Sequence, residues 1–388
     1  MSNRSTVRVT RKEVVSRRRK LLLALIALFL LLSLVLIGAA IARRGKAPSG
    51  GQETFPASDT SGHETEPDTL HPESAPPESS PPESGADPGS EPADTAVPPP
   101  DTETSAPETE AETGPEPTYV GGFTFPEEMA SRFALMIDLD HWTVLAEKNA
   151  DSVTYPASIT KIMTVLLAAE RLPDPDAVTS ISAETIADLI SRNAARAGFA
   201  AGEQITVRDM EAAALLPSGA DAAVGLAELV SGSEEAFAEL MNERAAEIGM
   251  KDTHFVTCTG LHRDTHVSTC SDLALLVREA LKNETFRSVF SLRTYTTSKT
   301  KEHPWGISCP GTMFRGLELQ GFSTDRYVGG KTGYTPEAGL CLASVAKIGG
   351  TEYLLITLGA GNGSNQPQLH ISDADLIWSA FEVWLAER

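Results

Sequence analysis

Serine, lysine and threonine recur at three points of the sequence in spacings suited to acyl chemistry. The first is Tyr155-Pro156-Ala157-Ser158-Ile159-Thr160-Lys161-Ile162-Met163-Thr164. Pro156 restrains the chain ahead of a helical run. Ser158 falls at or near the helix N-terminus, where unpaired N–H groups and the helix dipole favour developing negative charge. Lys161, three residues on, shares a face with Ser158. A serine hydroxyl is a weak nucleophile until a base takes its proton, and a lysine serves as that base once desolvation lowers its pKa. Ile162, Met163, Val165, Leu166 and Leu167 supply the dry surroundings. The second group is Leu215-Leu216-Pro217-Ser218-Gly219-Ala220-Asp221, where Pro217 and Gly219 interrupt a helical pattern and set Ser218 on a tight connection. The third is Val328-Gly329-Gly330-Lys331-Thr332-Gly333-Tyr334-Thr335-Pro336. Glycines around Lys331-Thr332 let a ligand or another backbone approach the strand, and the pair offers a cation and a hydroxyl to a carboxylate. Taken alone, each group also reads as a capped helix, a turn serine and a hairpin with an exposed lysine.

The elements that must position these groups follow from hydrophobic period and turn chemistry. Phe133 to Asp138 and Thr143 to Lys148 read as two strands joined by a polar turn at Asp140 and His141. A helical region comes next, over 158–172, 183–191, 207–216, 221–230, 234–248 and 272–281, with Thr206, Ser233 and Ser271 at N-cap positions and Gly249 as a C-terminal stop. Strands return over 293–297, 327–331, 340–346 and 353–358, and Ser372 opens a last helix to Leu385. Strands at both ends around a helical middle predict one antiparallel sheet assembled from both ends of the domain.

Composition separates the chain into unequal parts. Its 388 residues carry 32 Lys+Arg against 53 Asp+Glu, a net charge of −21, which argues against tracking nucleic-acid phosphates. Residues 1–20 hold eight basic groups and one acid, Glu13, succeeded by an uncharged apolar run from Leu21 to Ala42. At about 1.5 Å per residue that run spans a hydrocarbon core of about 30 Å. The preceding positive charge places the N-terminus in the cytoplasm and the rest outside. Ala40-Ile41-Ala42 resembles a signal-peptidase site, yet the apolar run exceeds the usual 7–15 residues, favouring an uncleaved anchor. Either reading exports the rest of the chain. Residues 43–120 form a Pro/Glu/Ser/Thr-rich spacer; 51–120 hold 15 of the 25 prolines, 17 acids and no Lys or Arg. Such a segment cannot bury enough apolar surface to offset its ordering entropy. As a flexible chain it reaches about 50 Å. The folded part is expected over 121–388.

The ordered combination of Ser158-x-x-Lys161, Ser218-Gly219-x-Asp221 and Lys331-Thr332-Gly333 resembles the motif set of penicillin-binding proteins and class A β-lactamases. In particular, residues from about 122 to 388 resemble the low-molecular-mass D-alanyl-D-alanine carboxypeptidases. Gly202-Glu203-Gln204-Ile205-Thr206-Val207, Thr259-Gly260-Leu261-His262 and Ala338-Gly339 extend the resemblance. It implies the α+β serine β-lactamase/penicillin-binding-protein-like transpeptidase fold, an antiparallel sheet flanked by helices plus a helical subdomain. It also implies removal of the terminal D-Ala from peptidoglycan stem pentapeptides, with Ser158 as nucleophile and Lys161 as general base. Burial and the neighbouring charge of Lys331 would hold Lys161 neutral. Ser218 would relay a proton, Lys331, Thr332 and Gly333 would bind substrate, and the backbone N–H groups of Ser158 and Tyr334 would meet the oxyanion. β-Lactams would acylate the same serine. One departure stands out: the family's middle motif is usually Ser-x-Asn, and Ala220 occupies the third position. Asp221 cannot replace that amide, because it projects about 100° away on a helix. Two alternatives stay open: a β-lactamase-related enzyme, although no clear counterpart of that family's Glu motif is found, and a non-catalytic penicillin-binding sensor or wall-binding module, which Ala220 keeps open.

No cofactor is implied. Cys258, His262, His266 and Cys270, evenly spaced by four, formally offer zinc ligands. The residues between them read as a loop, and a Cys258–Cys270 disulfide is the expectation for an exported chain, with Cys309 and Cys341 as free thiols. The chain ends one helix after its last strand, which places anchoring on the N-terminal segment rather than on a C-terminal domain. The reading is thus of a single-pass protein of the bacterial cell membrane, with its catalytic domain on the wall side.

Overall fold

A computed structural model describes residues 117–361 and 368–388. The basic segment 1–20, the apolar run 21–42 and nearly all of the spacer 43–120 lie outside the described residues.

In chain order the elements are β1 (Thr118–Tyr119), β2 (Phe133–Asp138), β3 (Thr143–Lys148), a 3₁₀ turn (Ala157–Thr160), α1 (Lys161–Arg171), β4 (Val178–Thr179), α2 (Ala183–Ser191), β5 (Ile205–Thr206), α3 (Val207–Leu215), α4 (Ala220–Ser231), α5 (Glu234–Ile248), α6 (Cys270–Lys282), α7 (Glu284–Phe290), β6 (Thr294–Thr296), β7 (Ser308–Pro310), α8 (Thr312–Gln320), β8 (Tyr327–Thr335), β9 (Gly339–Ile348), β10 (Thr351–Ala360) and α9 (Leu369–Ala386). The main sheet has the order β1-β3-β2-β10-β9-β8, assembled from both ends of the domain as expected. Neighbours are antiparallel except β1, which runs parallel to β3 through Thr118 opposite Thr143. Ordered pairing therefore begins at Thr118, three residues ahead of the boundary read at 121.

Side-chain alternation sorts the sheet into two cores. Leu135 and Ile137 of β2, Leu354, Ile356 and Leu358 of β10, and Ala343 and Val345 of β9 join the helical core built on α1, α3, α4, α6 and α7. Their neighbours Ala134, Met136, Leu342 and Leu355 pack on the opposite face against Met313 and Leu317 of α8 and Ile377, Trp378 and Phe381 of α9. Burial on both faces explains why these strands read as nearly continuous apolar runs. Within the helical core α1 is buried at every position from Lys161 to Ala168, a pattern proper to a helix enclosed on all sides.

Boundaries moved where capping chemistry differed from expectation. Thr206 and Ser233 cap α3 and α5, the former in a reciprocal capping box with Asp209, and Gly249 closes α5 in the left-handed conformation. The cap of α6 is Thr269 rather than Ser271, so Cys270 begins the helix. Likewise α9 starts after Gln368, one turn before Ser372. Helices α7 and α8 add to the predicted set, and β8 continues through Thr335 rather than stopping at Lys331.

Candidate active site

The Ser158 turn is held by a chain of hydrogen bonds that fixes its protonation as well as its shape. Ala157 takes a left-handed φ of 48°, a conformation costing a non-glycine residue on the order of 1–3 kcal/mol. Val256 donates its N–H to His266 Nδ1 at 2.9 Å, so the ring proton lies on Nε2 and points to Thr160 Oγ1 at 2.7 Å. Thr160 in turn donates to the carbonyl of Ala157 at 2.7 Å. Burial, aided by nearby cationic groups, pushes His266 down to about 4, which keeps the ring neutral and the chain of donors directed. A Cβ on Gly260, itself at φ +74°, would come within 2.0 Å of the same Ala157 carbonyl. The Thr-Gly-Leu-His stretch thus shapes the turn from below.

Lys161 lies wholly inside the protein, its Nζ donating to Ser158 Oγ at 3.1 Å and to the Thr259 carbonyl at 2.7 Å. Burial lowers its pKa to about 8, against the opposing influence of Cys258, Asp221 and Glu234. Lys331 is also fully buried, reaching across to Ser218 Oγ at 2.8 Å and to the Thr332 carbonyl at 2.7 Å. Burial and the charge of Lys161 carry its pKa well below the ordinary lysine value. Burial therefore brings Lys161 low enough for a neutral fraction to exist near neutral pH, and repulsion between the two ammonium groups disfavours charging both at once. Two cations so placed titrate as a pair, sharing protons less readily than separate lysines.

Ser218 sits on the turn between α3 and α4 with φ 67°, a second strained residue aimed at the cleft. Asp221 faces the other way, its carboxylate accepting from the N–H groups of Ala197, Gly198 and Phe199 at 2.8, 2.9 and 3.2 Å. It clamps the 195–199 loop, and it does not stand in for the missing amide. Ala220 is buried, its N–H bound to the Ala195 carbonyl. Strand β8 ends the sheet, and its outer edge borders the turn: a Cβ on Gly333 would lie 2.9 Å from the Ser158 nitrogen. Gly333 is therefore required for the strand and the Ser158 amide to meet.

These groups open into a cavity of about 620 Å³ lined by Ser158, Ser218, Thr332, Gly333 and Tyr334, all read from sequence, together with Ala195, Thr312, Arg315, Leu319, Gln368 and His370. Arg315 and Thr312 belong to α8, which the sequence reading passed over. Thr312 ties the second and third motifs together, its hydroxyl bonding to Thr332 Oγ1 at 2.6 Å and its N–H donating to the Leu216 carbonyl at 3.0 Å. Its signal was present in the Met313, Phe314, Leu317 spacing between Gly311 and Gly321. The arrangement can deprotonate a serine, hold a developing anion beside the Ser158 amide, pass a proton through Ser218 and admit an extended peptide along a free strand edge.

A family model described as D-alanyl-D-alanine carboxypeptidase matches residues 122–362. The chain belongs to this family. It is 32% identical over 256 residues to the D-alanyl-D-alanine carboxypeptidase DacF of Bacillus subtilis, covering 65% of this chain and 63% of that protein. It is 33% identical over 216 residues to the D-alanyl-D-alanine carboxypeptidase of Streptomyces sp. K15, covering 54% of this chain and 73% of the relative. The crystal structure of the Streptomyces K15 DD-transpeptidase superposes with a TM-score of 0.60 at 29% identity, over 68% of this chain and all of that one. The carboxypeptidase-family chain thus has the penicillin-binding-protein-like fold, while spanning less than two thirds of DacF.

The expected Cys258–Cys270 disulfide is absent: all four cysteines are free and buried. Bridges pairing His254 with Val267 and Thr154 with Ser268 run the intervening chain out and back. Cys258 ends beside Lys161, donating its thiol to Glu234 Oε1 at 3.2 Å, whereas Cys270 opens α6 near Cys341. Nor do the four evenly spaced residues converge, since His266 faces Thr160 and His262 packs edge-on against Tyr155.

Proposed function

We propose that this chain is a serine-type D-Ala-D-Ala carboxypeptidase acting on peptidoglycan stem peptides through an acyl-enzyme on Ser158. The observation that carries the reading is the buried Lys161 ammonium-or-amine 3.1 Å from Ser158 Oγ, at the floor of a cleft that also holds the Ser218–Lys331 pair. The substrate's C-terminal peptide lies along the free edge of β8, which offers backbone groups to an extended strand. Neutral Lys161 takes the Ser158 proton as Oγ attacks the carbonyl between the last two residues. The anion is met by the Ser158 and Tyr334 N–H groups. Collapse breaks the C–N bond, and Ser218, held by Lys331, passes its proton to the departing D-alanine amine and takes in return the one Lys161 removed from Ser158, so that Lys161 is neutral again. Water then attacks the ester, Lys161 takes its proton, and Ser158 is restored. Thr332, Gly333 and Arg315 line the side of the cleft where the terminal carboxylate would lie, with Arg315 supplying exposed charge that buried Lys331 does not. β-Lactams enter by the same route.

The basic segment before the apolar run at 21–42 supports a single-pass anchor in the cell membrane with the domain on the wall side. Among the described residues no helix is long and apolar enough to cross a membrane.

Incubation of the full chain with a fluorescent penicillin and with a pentapeptide ending in D-Ala-D-Ala tests the reading. Released D-alanine and stable labelling, both lost in Ser158→Ala, are expected. Labelling without D-alanine release would instead mean a sensor, rapid penicillin turnover a lactamase, and no labelling of Ser158 would end the proposal. Likeness to the Streptomyces K15 DD-transpeptidase favours one further outcome, transfer of the acyl group to an added amine in place of water.

A further inference from the structure

Resting on that reading of the substrate, we propose that the β6–β7 hairpin is a contact surface for the glycan strand that carries the stem peptide. At its tip Trp305 is 83% exposed, more than any other large apolar side chain among the described residues. Exposed aromatic side chains are commonly contact residues, because an indole offers a broad apolar face with a donor at its edge.

The tip is built to hold that face outward. Glu203, 1% exposed, grips the hairpin from the helical side: it accepts from Thr300 Oγ1 and meets His303 Nδ1 at 2.8 and 2.9 Å. Those hydrogen bonds, with one from the Ala200 backbone, outweigh the effect of burial and hold its carboxyl below the ordinary value. His303 N–H donates back to Thr300 Oγ1 at 2.8 Å, and Thr297 and Ile307 close the neck. This assigns a role to Glu203 of the Gly202–Val207 motif, which the proposed reaction does not use. A pre-ordered tip loses little conformational freedom on contact.

Charge and reach select the occupant. Lys299 lies 5.7 Å from the Trp305 ring centroid, and exposed Lys299 and Lys301 outnumber Glu302 on the tip. The rest of the folded domain is strongly acidic, with 21 basic residues against 35 acidic ones from 121 onward, so an anionic lipid surface is repelled. An N-acetylated sugar ring presents a C–H face to indole and acetyl carbonyls to ammonium groups. Strand β7 leads from the tip into Thr312 on the cleft wall. Trp305 lies seven positions before Thr312, so the tip is at most about 25 Å from it. A five-residue stem extends about 17 Å from its sugar, which brings the glycan within reach of the indole while the stem's end occupies the cleft.

The test uses full-chain Ser158→Ala in neutral-lipid nanodiscs, and peptide-free glycan strands of alternating N-acetyl sugars immobilised as the probe. Adding Trp305→Ala is expected to weaken retention at least tenfold, Trp305→Phe less. Trp305→Ala in the otherwise native chain should release D-alanine from soluble pentapeptide within twofold of the parent. Undiminished glycan retention by Trp305→Ala overturns the proposal, as does a loss seen only on phosphatidylglycerol vesicles. Glycan retention that depends on Trp305 in a chain unable to release D-alanine would uphold the surface and refute the catalytic reading.

Discussion

Lys161 must be both buried and uncharged to act as a base, and its surroundings set the pH at which that holds. With a pKa brought down to about 8, about one-tenth of the molecules carry the neutral amine at pH 7. Acylation by penicillin should therefore climb as pH rises through about 8 and level off above it, measured as kcat/KM between pH 6 and 9.5. Lys161→Met should lower that rate by about 10²–10⁴-fold. Glu234 bears on the same group from outside the cleft. Its carboxylate takes the N–H and thiol of Cys258, one residue from the carbonyl that receives Lys161, and its charge favours the ammonium form. Glu234→Gln should move the inflection to lower pH and raise the rate at pH 7; an unmoved inflection would show that the carboxylate only holds the loop. Gly260→Ala, which would press a methyl carbon into the Ala157 carbonyl, should destabilise by about 3 kcal/mol and abolish labelling.

At the scale of elements, the site exists because a turn, two helix ends and an edge strand meet, and each was legible to a different degree. The Ser158 turn, the Ser218 connection and the Lys331 strand are marked by local residues, and Ser158, Lys161, Ser218 and Lys331 converge through two direct hydrogen bonds. Helix α8 was not foreseen because its Met313, Phe314 and Leu317 stripe lacks a polar N-cap, Gly311 standing in that place. The disulfide reading failed for a related reason, since spacing along a loop says nothing of where the loop's ends point. Asp221 looked like a bystander one position past Ala220, and its work depends on a loop more than twenty residues away. Asp221→Ala should strand three loop N–H groups, costing about 3 kcal/mol. Urea midpoints should report that loss, and proteolysis at the 195–199 loop should quicken. Because Ala195 of that loop lines the cleft, KM for pentapeptide should rise as well.

At the scale of the whole molecule, the net charge of −21 divides into a basic segment over residues 1–50, an acidic stretch over 51–120 without one basic group and an acidic folded domain. Under the proposed membrane-anchored reading the spacer would stand the domain away from an anionic membrane and toward a fixed polymer; shortening it should then impair D-alanine release from intact wall while sparing soluble peptide. Within the domain three buried groups contribute to how stability varies with pH. Burial lowers His266 and His370 to about 4, so each contributes stability that is present above about pH 6.5 and is lost as pH falls toward 4. Glu211 runs the other way. Its carboxylate oxygens are buried without a hydrogen-bond partner, Arg208 lies 3.9 Å off, and burial raises its pKa to about 7. Its contribution is present at pH 4 and is lost as pH rises through 7, a change of about 3 kcal/mol. Among these three, the two histidines favour pH 7 over pH 4 and the carboxyl opposes them. Glu211→Gln removes the opposing group and leaves the histidines. The difference in unfolding free energy between variant and parent should shift by about 3 kcal/mol in the variant's favour from pH 4.5 to 8, whatever its starting value. A difference that stays level across that range would mean that Glu211 is charged throughout and is partnered in solution.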